Sequence, residues 1–398
     1  GTDDLGEAGD PCGGFSSGEG ELGEAGDPFA VPADPVDQGF DPGAVKERLA
    51  PPGFELHGRI SLSLAIPREL EPIELLDSPS PELSSLDVYV QWFPLHWFGL
   101  LGEAEVESDL EEEEREIEIE LELLVAELRL LSDERVRLRL GFSPVPFGLE
   151  RRYYAPPRNE FANRPAVFRR LYPGTFSDAG AFLWLTLPVI ESWGTIFELE
   201  ASLTRGLTGP GRDGRPGALD EDENGEPQAS GRMAWTLLDV DPSRPGPTTL
   251  PFRTRLTLGA SLLFGHHDPQ GRERVRYLGV DAEAILGGLR VRFEWVQAKF
   301  DRDRDSAGST QRGWGLYAQA AYHWRLERTL LEEVYVAFRY GQVDRDQRVK
   351  EGLDVERYHV GAGWVPYEGF LAKVGLEFTR ALAGGDERTV YLELGYSF

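Results

Sequence analysis

From Phe54 onward, apolar and polar residues alternate with period two along most of the chain. In the first run Phe54, Leu56, Gly58, Ile60, Leu62, Leu64 and Ile66 fall on one side, and Glu55, His57, Arg59, Ser61 and Ser63 on the other. The rhythm returns over 252–264 against Arg253, Arg255, Thr257 and Ser261, over 289–295 against Arg290, Arg292 and Glu294, and over 372–378 against Lys373, Glu377 and Thr379. Successive side chains of a strand point to opposite faces, so each run predicts a strand with one face in an apolar medium and one in water.

A soluble sandwich gives the same alternation, and three further features decide between the two. The runs are about ten residues or longer, the length of a tilted membrane strand, whereas soluble strands centre on about five to six. Aromatic residues sit near the ends of the runs, at Trp92, Trp97, Trp184, Trp193, Trp314, Trp324, Trp364 and Tyr367, where the interfacial girdles of a membrane barrel belong. The last run places Val390, Leu392, Leu394, Tyr396 and Phe398 on one face. That row is similar to the signal by which barrel-assembly machinery recognises outer-membrane proteins. The expected fold class is all-β, a transmembrane antiparallel barrel.

The runs number fifteen if 84–107 is taken as one strand, but single-chain bacterial barrels have even strand numbers. Pro94 cannot donate to a ladder. It therefore divides this region into Ser84–Trp92 and Leu95–Glu107, with a turn at Phe93–Pro94 and an outside acidic loop at Ser108–Arg115. Long and short connections then alternate along the chain and sixteen strands result, enough to leave an aqueous channel.

Residues 1–53 form an acidic arm rich in Gly and Pro that repeats LGEAGDP from Leu5 and Leu22. Such a composition buries too little apolar surface to fold alone, so a disordered or loosely docked arm is expected. No basic and apolar leader follows Gly1, and on the barrel reading a signal peptide has been removed before it. The 398 residues carry a formal net charge of -28, which argues against nucleic acid as a partner. Mean hydropathy is -0.36 and no long apolar run is present, so a helical membrane protein is excluded while a barrel is not. The single cysteine, Cys12, can make neither an intrachain disulfide nor a Cys-based metal site.

Charge is concentrated in two places. Glu116, Glu118, Glu120 and Glu122 alternate with Ile117, Ile119, Leu121 and Leu123, and a parity slip near Val125 then puts Glu127 and Arg129 on the watery face. The next strand carries Arg135, Arg137 and Arg139 on one face, and a turn at Ser132–Glu134 sets Glu127 opposite Arg139 and Arg129 opposite Arg137. Charges facing lipid near the midplane cost a few kcal/mol each, so these, with Arg59, Arg253, Arg255, Arg290 and Arg292, are expected in the lumen. They form either a bracing ion-pair lattice or a ladder that guides ions.

The second concentration is the segment Glu150–Asp178, which holds Arg151, Arg152, Arg158, Arg164, Arg169 and Arg170 against one internal acid, Glu160. Its aromatic residues argue for packing. It is either a constriction loop folded into the lumen, where an Arg ring selects anions, or an outside loop touching lipopolysaccharide or a neighbouring subunit. His266–His267 with Asp268 is a weak metal candidate, no nucleophile set is apparent, and no metal, cofactor or enzymatic activity is expected.

The runs LRLGFSPVPFG (138–148), LHGRI (56–60), YLGVDAE (277–283), GWGLYAQAAY (313–322), VAFRY (336–340) and YHVGAGWVPYEGFLAKVGLE (358–377), with Arg164–Pro165 and Ser177–Gly180, resemble the phosphate-selective porin O and P family. The resemblance implies a sixteen-stranded, homotrimeric pore in outer-membrane lipid, a passive diffusion channel for small solutes or ions whose third outside loop folds inward. Lys is scarce and wall carboxylates are many, a departure from the basic ladders of phosphate-selective members. A structural or adhesive barrel with a blocked lumen, tethered by the acidic arm, is the competing expectation.

Overall fold

The computed structural model describes residues 54–69, 80–111, 114–131, 135–150, 159–161, 163–171, 177–190, 193–206, 226–240, 253–266, 274–301, 310–328, 331–344, 355–366, 370–381 and 386–397. The arm at 1–53 lies outside them. Sixteen strands follow in chain order: β1 Phe54–Glu69, β2 Ser80–Leu95, β3 Phe98–Glu111, β4 Glu114–Arg129, β5 Val136–Pro144, β6 Ser177–Ile190, β7 Thr195–Thr204 and β8 Gln228–Val240. The second half comprises β9 Thr254–His266, β10 Arg274–Leu286, β11 Leu289–Phe300, β12 Gln311–Arg328, β13 Leu331–Asp344, β14 Val355–Val365, β15 Phe370–Ala381 and β16 Asp386–Ser397. One short helix, α1 (Ala166–Arg170), lies between β5 and β6.

Every strand pairs antiparallel with its sequence neighbours, and β1 pairs with β16 to close the barrel. At the seam Ile60 stands opposite Tyr396, Leu62 opposite Leu394 and Leu64 opposite Leu392. Closure leaves no open sheet edge, the condition a β-structure must meet in hydrocarbon.

Amphipathicity is inverted relative to a soluble protein. On β8, Gln228, Arg232 and Thr236 are buried while Met233 and Trp235 are about half exposed. On β9, Thr257 and Ser261 are buried while Leu256, Leu258, Leu262 and Phe264 are exposed. The barrel turns its polar rows inward and its apolar rows outward, as lipid on one side and water on the other require.

Turns and bulges set the parity. Leu286 pairs with Leu289 across Gly287–Gly288, and Gly287 has φ 59, a left-handed conformation that glycine adopts without steric cost. The division of 84–107 falls three residues later than the expected turn at Phe93–Pro94: Leu95 pairs with Phe98, so the turn is His96–Trp97. Pro94 is absorbed in an irregularity between Trp92 and Leu95, where no ladder donor is needed. The expected acidic loop at Ser108–Arg115 is instead mostly strand, paired out to Glu111 opposite Glu114. Val106 opposite Ile119 and Ser108 opposite Ile117 show why: the apolar alternation persists through the acidic run. The parity slip sits at Glu122, between the Glu103–Leu123 and Ala104–Leu121 pairs, three residues before Val125.

Trp92, Trp97, Trp193, Trp324 and Trp364 are exposed on the outer wall. Trp184 is not among them. It is 2% exposed and faces inward, where the Arg139 guanidinium lies 4.5 Å from its ring centroid. Cation–π contact with an inward Arg accounts for an aromatic residue on the polar face.

The inverted pattern makes a direct prediction. Leu258→Arg, near the middle of the outward face of β9, costs about 2–4 kcal/mol of barrel stability, measured by reversible urea unfolding in lipid vesicles. Thr257→Val, on the inward face, leaves the lipid contact untouched and costs much less.

Candidate functional site

The inward rows of the strands form a charged lumen. Glu127 on β4 is fully buried, and Arg139 on β5 donates to it at 2.7 Å. Arg129 contacts the same carboxylate at 3.0 Å and lies over the Phe93 ring at 3.9 Å. The register opposes Glu127 to Arg139 and Arg129 to Arg137, the pairing expected from the turn at Ser132–Glu134. Arg232 on β8 forks onto Asp281 on β10 at 2.6 and 3.2 Å. Lys373 on β15 holds both oxygens of Glu393 on β16. Such two-toothed contacts fix geometry as well as charge.

The other candidate wall residues distribute unevenly. Arg255 is buried and stands opposite Asp239. Arg253 is exposed at the turn rim, 3.9 Å from Asp239. Arg135 is half-buried just before β5. Arg59 stands opposite Asp87 in register, and Asp87 opposite Glu105. Glu120 stands opposite Glu105, Glu118 opposite Glu107 and Glu116 opposite Asp109. Asp87 and Glu105 are buried on the inward face.

The segment after β5 turns into the barrel. The Gly148 amide donates to Ser261 on β9, and the Leu149 and Glu150 amides donate to Glu294 on β11. Gly148 has φ +72, and a Cβ there would strike the Glu294 carboxylate, so this approach requires glycine. Further along, Glu160 takes hydrogen bonds from Arg292 at 2.8 Å and from Gln319. Arg290 and His323 stand 3.9 and 3.6 Å from its other oxygen. Arg292 also reaches Glu283 at 3.2 Å. Arg339 on β13 donates to the Asn163 carbonyl, to Asn159 and to Gln319, and its guanidinium lies over the Phe161 ring at 4.3 Å. Asn163 in turn donates to Glu377 on β15.

An apolar cluster completes the attachment. Val145, Phe147, Val167 and Phe168 pack with Leu263, Tyr277, Val296, Tyr317 and Val343 on the inward faces of β9–β13. A second cluster joins Phe161 to Ala321, Tyr335, Ala337, Val365 and Leu371. The described part of the segment therefore lies inside the barrel along β9–β15.

Electrostatics divide its two buried acids. Burial alone would raise the Glu160 carboxyl, but Arg292, His323 and Arg290 outweigh it and hold the group far below the usual carboxylate range. At Glu150 burial wins over Arg339, Arg292 and Arg164 and pushes the carboxyl up.

Of the candidate loop arginines, Arg151, Arg152 and Arg158 lie outside the described residues. Arg169 and Arg170 are on α1, and Arg164 is half-buried. The groups that hold the loop are others: Glu160, Asn159 and Asn163 on the loop, with Arg292, Gln319, Arg339 and Glu377 on the wall. Glu160 stands out in the sequence as the sole acid among the loop arginines. The inward parity of Gln319, Arg339 and Glu377 marks them as lumenal. Their meeting, across separations of up to 214 residues, has no local signal. Val390 is half-buried, Leu392, Leu394 and Tyr396 are exposed on the outward face, and Phe398 lies outside the described residues. His266 ends β9 opposite Arg274, and among the described residues no group of three metal-ligating side chains forms.

Closed topology and an outward apolar belt define the class, an outer-membrane β-barrel. No protein-family model matches the chain, and no curated protein matches it in sequence. Among solved structures it is similar to OmpT of Vibrio cholerae in its trimer form, at TM-score 0.54 and 8% identity over 87% of this chain and 100% of that one. It is similar to Salmonella typhi OmpF in complex with daunomycin, at 0.53 and 11% over 87% and 97%. It is also similar to the outer membrane channel DcaP of Acinetobacter baumannii, at 0.53 and 11% over 88% and 98%. At these identities the likeness is one of fold, shared with outer-membrane porins and channels.

The loop attachment gives a pH-dependent prediction. Glu160→Gln leaves Arg292 short of a buried partner and destabilises the barrel by about 3–5 kcal/mol at neutral pH. Because the folded carboxyl is held low, the wild type keeps this advantage above about pH 4.3 and loses it as pH falls toward the folded value. Urea unfolding of both proteins at pH 7 and at pH 3 measures the gap, which narrows at the lower pH.

Proposed function

We propose that the protein is a passive channel for small hydrophilic solutes and ions in the bacterial outer membrane, with no catalytic step. The observation that carries this reading is the asymmetric lumen: the inward loop lies along β9–β15, and the facing wall of β2–β4 presents charge. A water-filled path beside the loop, bordered by the half-buried Gln91 on β2 and Glu103 on β3, is part of this reading. The loop, with Arg164, Arg169 and Arg170 and the flanking Arg151, Arg152 and Arg158, forms the constriction. The inward rows of arginines and carboxylates supply both the bracing and the field.

Selectivity is the finer part of the proposal. The six loop arginines favour anions, as does the resemblance to the phosphate-selective porin O and P family. The wall favours cations, since carboxylates outnumber Arg and Lys among the buried described residues and Asp87 stands opposite Glu105. Rings of carboxylates draw cations by field, and we take the wall as dominant. Assembly as a homotrimer, lipopolysaccharide at the outer surface, and recognition of the outward Val390–Tyr396 row by the assembly machinery complete the proposal. The apolar packing of Phe147 and Val167 within the lumen supports a second reading, a barrel whose lumen the loop blocks.

Planar-bilayer recording tests both readings. Stepwise openings with a cation-selective reversal potential across a salt gradient are expected. Glu105→Gln with Glu120→Gln shifts that potential toward zero, and Arg151, Arg152 and Arg158 changed to Gln shift it further toward cations. Absence of openings from folded, heat-modifiable protein supports the blocked barrel instead.

A further inference from the structure

The outward face of β10–β12 carries a row of like charges. Arg276 stands directly opposite Lys299, and Lys299 directly opposite Arg312. Arg276 and Arg312 are exposed, and Arg274 is exposed two residues further along the same face of β10. Side chains directly opposite on one face lie about 4.5–5.5 Å apart at Cβ, and like charges so placed repel.

Elsewhere at this rim outward charges meet both like and unlike partners: Arg68 stands opposite Arg388 at the seam. Glu356 stands opposite Arg380, and Arg380 opposite Asp386. The β10–β12 row sets three cations side by side across three strands in a chain with a net charge of -28. Its one acidic contact among the described residues is Asp301, 3.4 Å from the Lys299 amine, with both side chains about one-third exposed.

Depth fixes the setting. The row lies at the rim that carries the connections 267–273 and 302–309, the rim of the long loops and hence the outer one. Beneath it on the same face come Leu278, Gln297 and Trp314, then Val280, Trp295 and Leu316. Leu278 and Val280 are each 40% exposed and belong to the apolar belt. A cation row just above that belt, with a tryptophan at its lower edge, sits at headgroup level. Long Arg and Lys side chains reach from there to the polar surface.

We propose that Arg276, Lys299 and Arg312 form a docking site for the phosphate groups of an outer-leaflet glycolipid. One bisphosphorylated headgroup spans the row. Its negative charge relieves the repulsion that the sequence builds in, and the guanidinium forks of Arg276 and Arg312 match phosphate geometry. The acyl chains then lie on Leu278 and Val280. This site rests on the barrel fold and on no assumption about conduction through the lumen.

The test uses the full folded chain in neutral detergent, with bisphosphorylated lipid A as the probe and its dephosphorylated form as the control, read by native mass spectrometry. Each Lys or Arg near an anionic lipid contributes roughly a fivefold change in binding, so neutralising three lowers affinity roughly a hundredfold. The expected result is strong retention by the wild type and about that loss in Arg276→Gln/Lys299→Gln/Arg312→Gln, with Arg380→Gln unchanged and all proteins heat-modifiable. Wild-type retention also falls steeply with added salt, a readout that survives if the triple variant fails to fold. Equal binding of dephosphorylated lipid, salt-independent retention, or undiminished binding by the folded triple variant overturns the proposal. So does displacement of lipid A by millimolar inorganic phosphate, which would assign the row to the free anion.

Discussion

Backbone hydrogen bonding in hydrocarbon is the constraint on which the molecule depends. A strand in lipid has no water to satisfy its amides and carbonyls, so each must find another strand, and the first must find the last. The β1–β16 ladder meets that demand. Once the sheet is closed, its outward side chains must be apolar and its inward ones can be charged. Two hydrophobic faces would leave an interior without water, and two polar faces would not enter the membrane.

The interior then has its own problem. Charges buried together among the inward side chains repel or attract strongly because little water screens them there. On the β4–β5 and β8–β10 walls the solution is cross-strand pairing, as in Glu127 with Arg139 and Arg232 with Asp281. On the β9–β15 side it is the inward loop, whose Glu160, Asn159 and Asn163 satisfy Arg292, Gln319 and Arg339. The loop therefore serves the wall as much as the wall holds the loop. On β2–β3 the buried Asp87 and Glu105 stand opposite each other in register.

How much of this could be read from the chain depended on the range of each interaction. The sixteen-strand closure followed from period-two alternation and an even count, and the Glu127–Arg139 register from a short turn. Local features misled where a longer-range one overrode them. Pro94 looked like a break, but the strand runs past it to Leu95, whose pairing with Phe98 places the turn at His96–Trp97. The acidic run after Ser108 looked like a loop, but its alternating Ile and Val residues keep it in the sheet. Trp184 looked like an interfacial residue, but its parity and Arg139 turn it inward. The loop anchors were hardest, because Glu160 and Arg292 are 132 residues apart and either could have paired locally.

The central claim is that the lumen conducts along the β2–β4 wall, beside a loop fixed to the opposite wall. Cysteine accessibility tests it most directly. In a Cys12→Ser background, Glu103→Cys, half-buried on the inward face of β3, and Val167→Cys are each exposed to a charged thiol reagent during bilayer recording. The account predicts rapid modification at 103 with a stepwise change in current, and inertness at 167 inside the apolar loop cluster. Modification at 167 with an unreactive 103, or reaction at 103 with no change in current, would contradict it.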